Sequence, residues 1–281
     1  MNMNEMPLQR ADIVKEIHPD VRWLYGEAST FFEKNAIQPD DFRDLYDPAM
    51  IDRDEKTVAR LKQGWNELDP MRAYAEALEY ITYRQIKDHA LLGADDDVIK
   101  TSEFDDIVNG TDLVVEFGET ETGSVDRLGL AIDVTFGTET LSKKFDRIKE
   151  QIGKGSLGEI KYFQSEKYGI RGQLTKVPRV VVGIEKRRIE EAAAILRTGA
   201  DDALVDHPMQ RAFLHETSVQ LRTYAQYAER VRQPDVAAVY RRELAIVQAV
   251  IQKRFGNMMD LADIRDDRVL QSIRTALGEK F

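Results

Sequence analysis

Asp112-Leu113-Val114-Val115-Glu116-Phe117 and Leu130-Ala131-Ile132-Asp133-Val134-Thr135-Phe136 are the two stretches on which the reading of this chain turns. Each is a short apolar run of the kind that forms a buried strand. Each also carries an aspartate, one at the mouth of its strand and one inside it. An unpartnered buried carboxylate is costly, whereas two on neighbouring strands make a natural pair of hard oxygen ligands for a divalent cation.

Outward from these runs, residues 160–163 and 179–184 read as two further buried strands. Residues 139–152 form a helix between them, with Leu141, Phe145, Ile148 and Ile152 at helical spacing and a Gly-Lys-Gly stop. A further strand is expected before Asp112 or in the hairpin region 118–125. The first eighty or so residues are helical: Pro39-Asp40-Asp41 marks one helix start, residues 54–68 another, and Pro70 opens a long helix with Met71, Tyr74, Leu78, Ile81 and Ile86 in register. Nothing in that region suggests chemistry, and it reads as a cap. After residue 185 the chain is helical again, over 186–198, in a hairpin of 208–232 and 235–255, and over 260–277. The expected organisation is a helical cap (1–82), an α/β core with a mixed sheet flanked by helices (83–198) and a helical hairpin region (199–281).

The chain has 281 residues, no cysteine and a net charge of −10. The absence of cysteine excludes disulfides, thiolate metal sites and cysteine nucleophiles. Residues 1–10 lack the apolar core of a signal peptide, and no stretch approaches the ~20 apolar residues of a membrane span. A cytoplasmic protein without membrane contact is expected. The charge is segregated. Residues 85–135 hold thirteen acids against three bases, and residues 143–188 hold thirteen bases against five acids. A metal site beside a phosphate track would need such an arrangement, although solvated faces of opposite sign would also produce it.

The order helix, strand, strand, helix, strand, with acids on the first two of these strands, resembles the PD-(D/E)xK nuclease superfamily. The likeness covers about residues 83–185. It implies a restriction-endonuclease-like αβββαβ fold and a Mg²⁺- or Mn²⁺-dependent phosphodiesterase acting on DNA or RNA. It places metal ligands at Asp112 and Asp133, with an extra acid of the leading helix or its following loop among Glu103, Asp105 and Asp106; Glu103 and Asp106 complete the expected ligand set. The position of the family lysine is Thr135, which cannot carry its charge, so Lys143, Lys144 or Lys161 is expected to substitute. Arg147, Lys149, Arg171 and Arg179 are expected to meet nucleic-acid phosphates. Asp133→Asn should abolish activity.

Each residue also has a purely structural reading. Asn109-Gly110-Thr111-Asp112 is turn chemistry, in which an Asp bonds nearby amides. Asp133 can be satisfied at an edge or by a lysine, Glu103 is a surface acid, and the lysines belong to exposed faces. The competing function is therefore a catalytically silent module of the same fold that contacts a protein partner, or a second copy, through its C-terminal helices. A hydrolase of small phosphorylated molecules is a third reading. The scattered histidines and the Gly153-Lys154-Gly155-Ser156 stretch match no catalytic or phosphate-loop pattern.

Overall fold

The computed structural model describes residues 16–65, 69–93, 95–118, 126–132, 138–256 and 259–281. Three helices come first: α1 (Pro19–Asn35), α2 (Pro48–Lys62) and α3 (Pro70–Lys87). All three begin with proline in the first turn, where its missing N–H is not needed. His18, Asp47 and Asp69 cap them by accepting from Asp20, Ala49 and Met71 amides. The region around Pro39 forms only a 3-10 turn, Pro39–Phe42. The second helix starts at Pro48 rather than at residue 54, because Asp47-Pro48 supplies a stronger start signal than Asp54.

The central sheet has four strands: β1 (Asp97–Lys100), β2 (Leu113–Glu116), β3 (Arg127–Ile132) and β6 (Arg179–Val182), in the order β1-β2-β3-β6. The first three form an antiparallel meander, with Lys100 opposite Leu113 and Leu113 opposite Leu130. Helix α4 (Thr138–Gly153) and a separate hairpin, β4 (Gly158–Ser165) with β5 (Ile170–Val177), then intervene before β6 pairs parallel to β3. The result is a mixed α/β protein with a small mixed sheet and flanking helices. β1 is the extra strand expected before Asp112. β5 carried no sequence signal, because its exposed face alternates Arg171, Gln173 and Thr175 and Gly172 breaks its apolar face.

The C-terminal part comprises α5 (Lys186–Thr198), α6 (Pro208–Arg230), α7 (Pro234–Phe255) and α8 (Arg268–Lys280). Helix α6 seals the outer edge of β6 with its side chains. Gln220 accepts the Val181 N–H (2.8 Å) and donates to the Val181 carbonyl (2.6 Å), while Glu216 accepts the Gly183 N–H (3.3 Å). An open strand edge is thereby blocked by polar side chains that mimic a neighbouring strand. One continuous apolar core runs from Val21 and Leu24 of α1 through Leu113, Val115 and Val181 of the sheet to Leu270 and Ile273 of α8. The expected boundary at residue 82 falls inside α3.

Candidate metal centre

Glu79, Lys100, Asp106 and Asp112 come from four successive pieces of the fold and meet at one place. α3 is buried along most of its length, and Glu79 lies among Ala77, Leu78, Tyr80 and Ile81 on that buried surface. The chain crosses to β1, whose last residue is Lys100. Thr101 then ties the returning loop shut: its N–H reaches the Asp112 carbonyl (3.2 Å) and its hydroxyl the Thr111 carbonyl (2.6 Å). Inside this loop residues Asp105–Asn109 make one π-helical turn, ended by Gly110 in the left-handed conformation (φ 68°). That turn swings Asp106 back over Asp112.

One carboxylate oxygen each from Glu79, Asp106 and Asp112 lies within 4.8 Å of the others. The Lys100 ammonium sits 2.7 Å from Glu79 Oε1 and 2.9 Å from Asp106 Oδ2. Glu79 lies at the bottom, with 9% of its side chain exposed, and Asp106 nearer solvent at 32%. Lys144, in the first half of α4, adds a second positive charge that acts on Asp106 and Asp112.

Burial, followed by the charges of Asp106 and Glu79, pushes the Asp112 carboxyl well above the usual carboxylate range. Asp106 shares a hydrogen bond with Asp112. Burial, the largest single influence, would raise Asp106, but Lys100, the hydrogen bond with Asp112 and Lys144 together outweigh it and hold Asp106 low. Glu79 is pushed up to about 7, chiefly by burial and against the pull of Lys100. Burial would lower the Lys100 ammonium, yet Asp106, Glu79 and Asp112 together raise it. The ensemble is three acids and two ammonium groups, with one proton most readily held by Asp112.

Among the expected ligands, Asp106 and Asp112 are brought together, whereas Asp133 and Thr135 lie outside the described residues. Glu103 is turned away: its side chain is 61% exposed and pairs with Lys62 at 2.6 Å. Asp105 is a structural acid. It is fully buried and takes hydrogen bonds from Ser102 Oγ (2.8 Å), Asn109 Nδ2 (2.6 Å) and the N–H groups of Lys161 (2.7 Å) and Tyr162 (2.9 Å), pinning the π turn to β4. Glu116 is also buried, paired with Arg127 (2.8 Å) and with Ser165.

Of the expected lysines, Lys144 faces the acids and Lys143 is exposed on α4. Lys161 is held by Asp54 and lies over the rings of Phe104 and Tyr162. The expected phosphate track is largely committed elsewhere. Arg179 is buried and bound to the Asn109 carbonyl and to Gln151 (2.6 Å), Arg171 pairs with Asp44 (2.7 Å), and Lys149 lies over Tyr227. Arg147 differs. It has no acidic partner among the described residues, and its Nη1 would lie 3.1 Å from a Cβ placed on Gly110, beside the Asp106–Asp112 loop.

The cluster contains two residues that the sequence reading passed over. An acid inside the apolar stripe of α3 was a legible signal for Glu79, because such a position demands a charged partner. Lys100 had no such signal, since only the β1–β2 pairing brings it to Asp112. No known protein family matches the chain, and neither does any curated protein or solved structure.

Proposed function

We propose that this protein is a divalent-metal-dependent phosphodiesterase acting on nucleic acid, built on a restriction-endonuclease-like core. The observation that carries the reading is the convergence of Glu79, Asp106 and Asp112 within 4.8 Å. Glu79 Oε1 lies in this cluster, 2.7 Å from the Lys100 ammonium. The element sequence supports the same reading: α3, the β1-β2-β3 meander, α4 and a β6 parallel to β3 follow the αβββαβ order. In this reading Glu79 is the acid of the leading helix and Asp112 the acid at the start of the second strand.

Glu79, Asp106 and Asp112 would hold Mg²⁺ or Mn²⁺, which when bound supplies a Lewis acid and a more acidic water. The protein's own groups do the rest. Lys100 and Lys144 provide the positive charge that the family lysine would have given, and they neutralise charge developing on the phosphate oxygens. Arg147 is placed to contact a phosphate beside the loop. The test is cleavage of single- and double-stranded DNA and RNA by the full chain with Mn²⁺ or Mg²⁺, compared with Glu79→Gln and Asp112→Asn. Cleavage that persists in both variants refutes the assignment.

A second reading is favoured by one observation. Lys100 already stands between two of the acids, as it would in a catalytically silent module in which the fold serves protein contacts. A thermal shift separates the readings: an intact site gains stability with Mn²⁺ and a closed one does not.

A further inference from the structure

We propose that Lys100 is the resident cation of this site, and that a divalent ion binds by displacing its ammonium toward the mouth of the cluster. This rests on the metal-dependent reading above and adds to it a built-in competition. The ammonium lies 2.7 Å from Glu79 and 2.9 Å from Asp106, two of the three acids whose oxygens lie within 4.8 Å of one another. It therefore occupies the volume that those oxygens would share around a metal. An ion with Mg²⁺–oxygen distances of about 2.1 Å needs these carboxylates around it with no second cation between them. Metal and ammonium exclude each other by charge and by space.

The resting position of Lys100 is well supported. Its side chain is 9% exposed, and its ammonium lies 5.4 Å from the centroid of the Phe32 ring. A way out is also present. Lys100 is the last residue of β1, an edge strand of the sheet, and Asp106 on one side of the ammonium is a third exposed. A four-carbon stem can move the charge to that side by rotating its own bonds, without moving the backbone. There the ammonium would face the position of a bound phosphate, so displacement also delivers the charge that Thr135 cannot carry. The competition sets a threshold: the site stays closed at low metal and becomes competent only when the divalent ion outbids an internal ligand of fixed effective concentration.

The experiment uses the full chain with Mn²⁺ as the probe. In the unmutated protein, labelling of Lys100 by an amine-reactive reagent is followed by peptide mass spectrometry with and without saturating Mn²⁺. In parallel, Mn²⁺ affinity is measured calorimetrically for the unmutated chain, Lys100→Met and Lys100→Arg, with circular dichroism as the folding control. The expected results are at least a threefold rise in Lys100 labelling with Mn²⁺, at least tenfold tighter Mn²⁺ binding by Lys100→Met, and weaker binding by Lys100→Arg. If Mn²⁺ binds and raises the melting temperature while Lys100 stays protected, the displacement is refuted and the metal-dependent reading stands. The same holds if folded Lys100→Met binds no tighter. If Mn²⁺ binds to no form of the protein, the metal-dependent reading itself fails, and this inference fails with it. The labelling arm decides the matter even where Lys100→Met does not fold.

Discussion

Asp112→Asn should make the metal-free protein more stable while removing its response to metal. The magnitude follows from the geometry. Two carboxylates at the 4.8 Å limit of this cluster repel by about 3 kcal/mol at an effective dielectric constant near 20. Asp112 faces two such neighbours, and Lys100 offsets roughly one of them. About one repulsion remains, and it adds to burial, the larger cause, in holding the carboxyl well above its usual range. The sign follows by linkage. A carboxyl whose folded value is raised binds a proton more tightly in the folded state, so the protein loses stability as pH rises above the unfolded value near 4. The amide removes this loss. At pH 8 in EDTA the variant should gain about 2 kcal/mol, or roughly 5 °C in melting temperature for a protein of this size. In Mn²⁺ at a hundred times its dissociation constant the unmutated chain gains about 3 kcal/mol and the variant nothing, so the order of stabilities inverts. The assay is a melting series from pH 5 to 8.5 with EDTA or Mn²⁺. A variant less stable than the unmutated chain by 1 kcal/mol in EDTA at pH 8 would show that Asp112 is a satisfied turn carboxylate, and the electrostatic reasoning would fail.

Glu243 of α7 is fully buried, and burial together with nearby Asp126 pushes it up to about 8. The folded protein therefore holds an extra proton between about 4.5 and 8 and loses stability as pH rises through that window. Glu243→Gln should flatten the decline, with a ceiling of about 5 kcal/mol at pH 8.5; parallel melting curves for both forms across the window would contradict this. Gln220→Leu should cost about 2–4 kcal/mol in urea unfolding, because it orphans both backbone groups of Val181; a loss under 1 kcal/mol would mean that the β6 edge is not sealed as described. Arg179→Met should destabilise the fold through its lost bonds to Asn109 and Gln151, whereas Arg147→Ala should leave the melting temperature within about 1 °C and weaken nucleic-acid binding. Equal effects of the two changes on both readouts would argue against separating a structural from a phosphate-facing arginine.

The elements with strong local signals were legible: the helix ends at Gly199 and Pro208, the apolar runs of β2 and β6, and the periodic α4. These rest on backbone geometry and short-range periodicity, which a few neighbouring residues suffice to fix. The charge segregation was equally plain, but its meaning was not. Of the bases in 143–188, Lys161 pairs with Asp54 and Arg171 with Asp44, acids from distant segments, and Lys154, Lys186, Arg187 and Arg188 pair with acids three or four residues away. A run of one sign in sequence was thus partly neutralised in space.

The site itself divides in the same way. The letters alone singled out Asp112, because an acid at the mouth of an apolar strand is conspicuous, and from Glu103, Asp105 and Asp106 they took Glu103 and Asp106 into the expected ligand set. The folded chain brings only Asp106 of these to Asp112. The π turn sends Asp105 into the protein as a staple for β4, turns Asp106 toward Asp112 and leaves Glu103 at the surface with Lys62. Tertiary structure alone added Lys100 from β1, and it gave Glu79, an acid already conspicuous in the apolar stripe of α3, its place in the cluster. Which charges share a small volume is set by strand register and helix docking, and these depend on contacts between residues far apart along the chain, which local sequence preference does not encode.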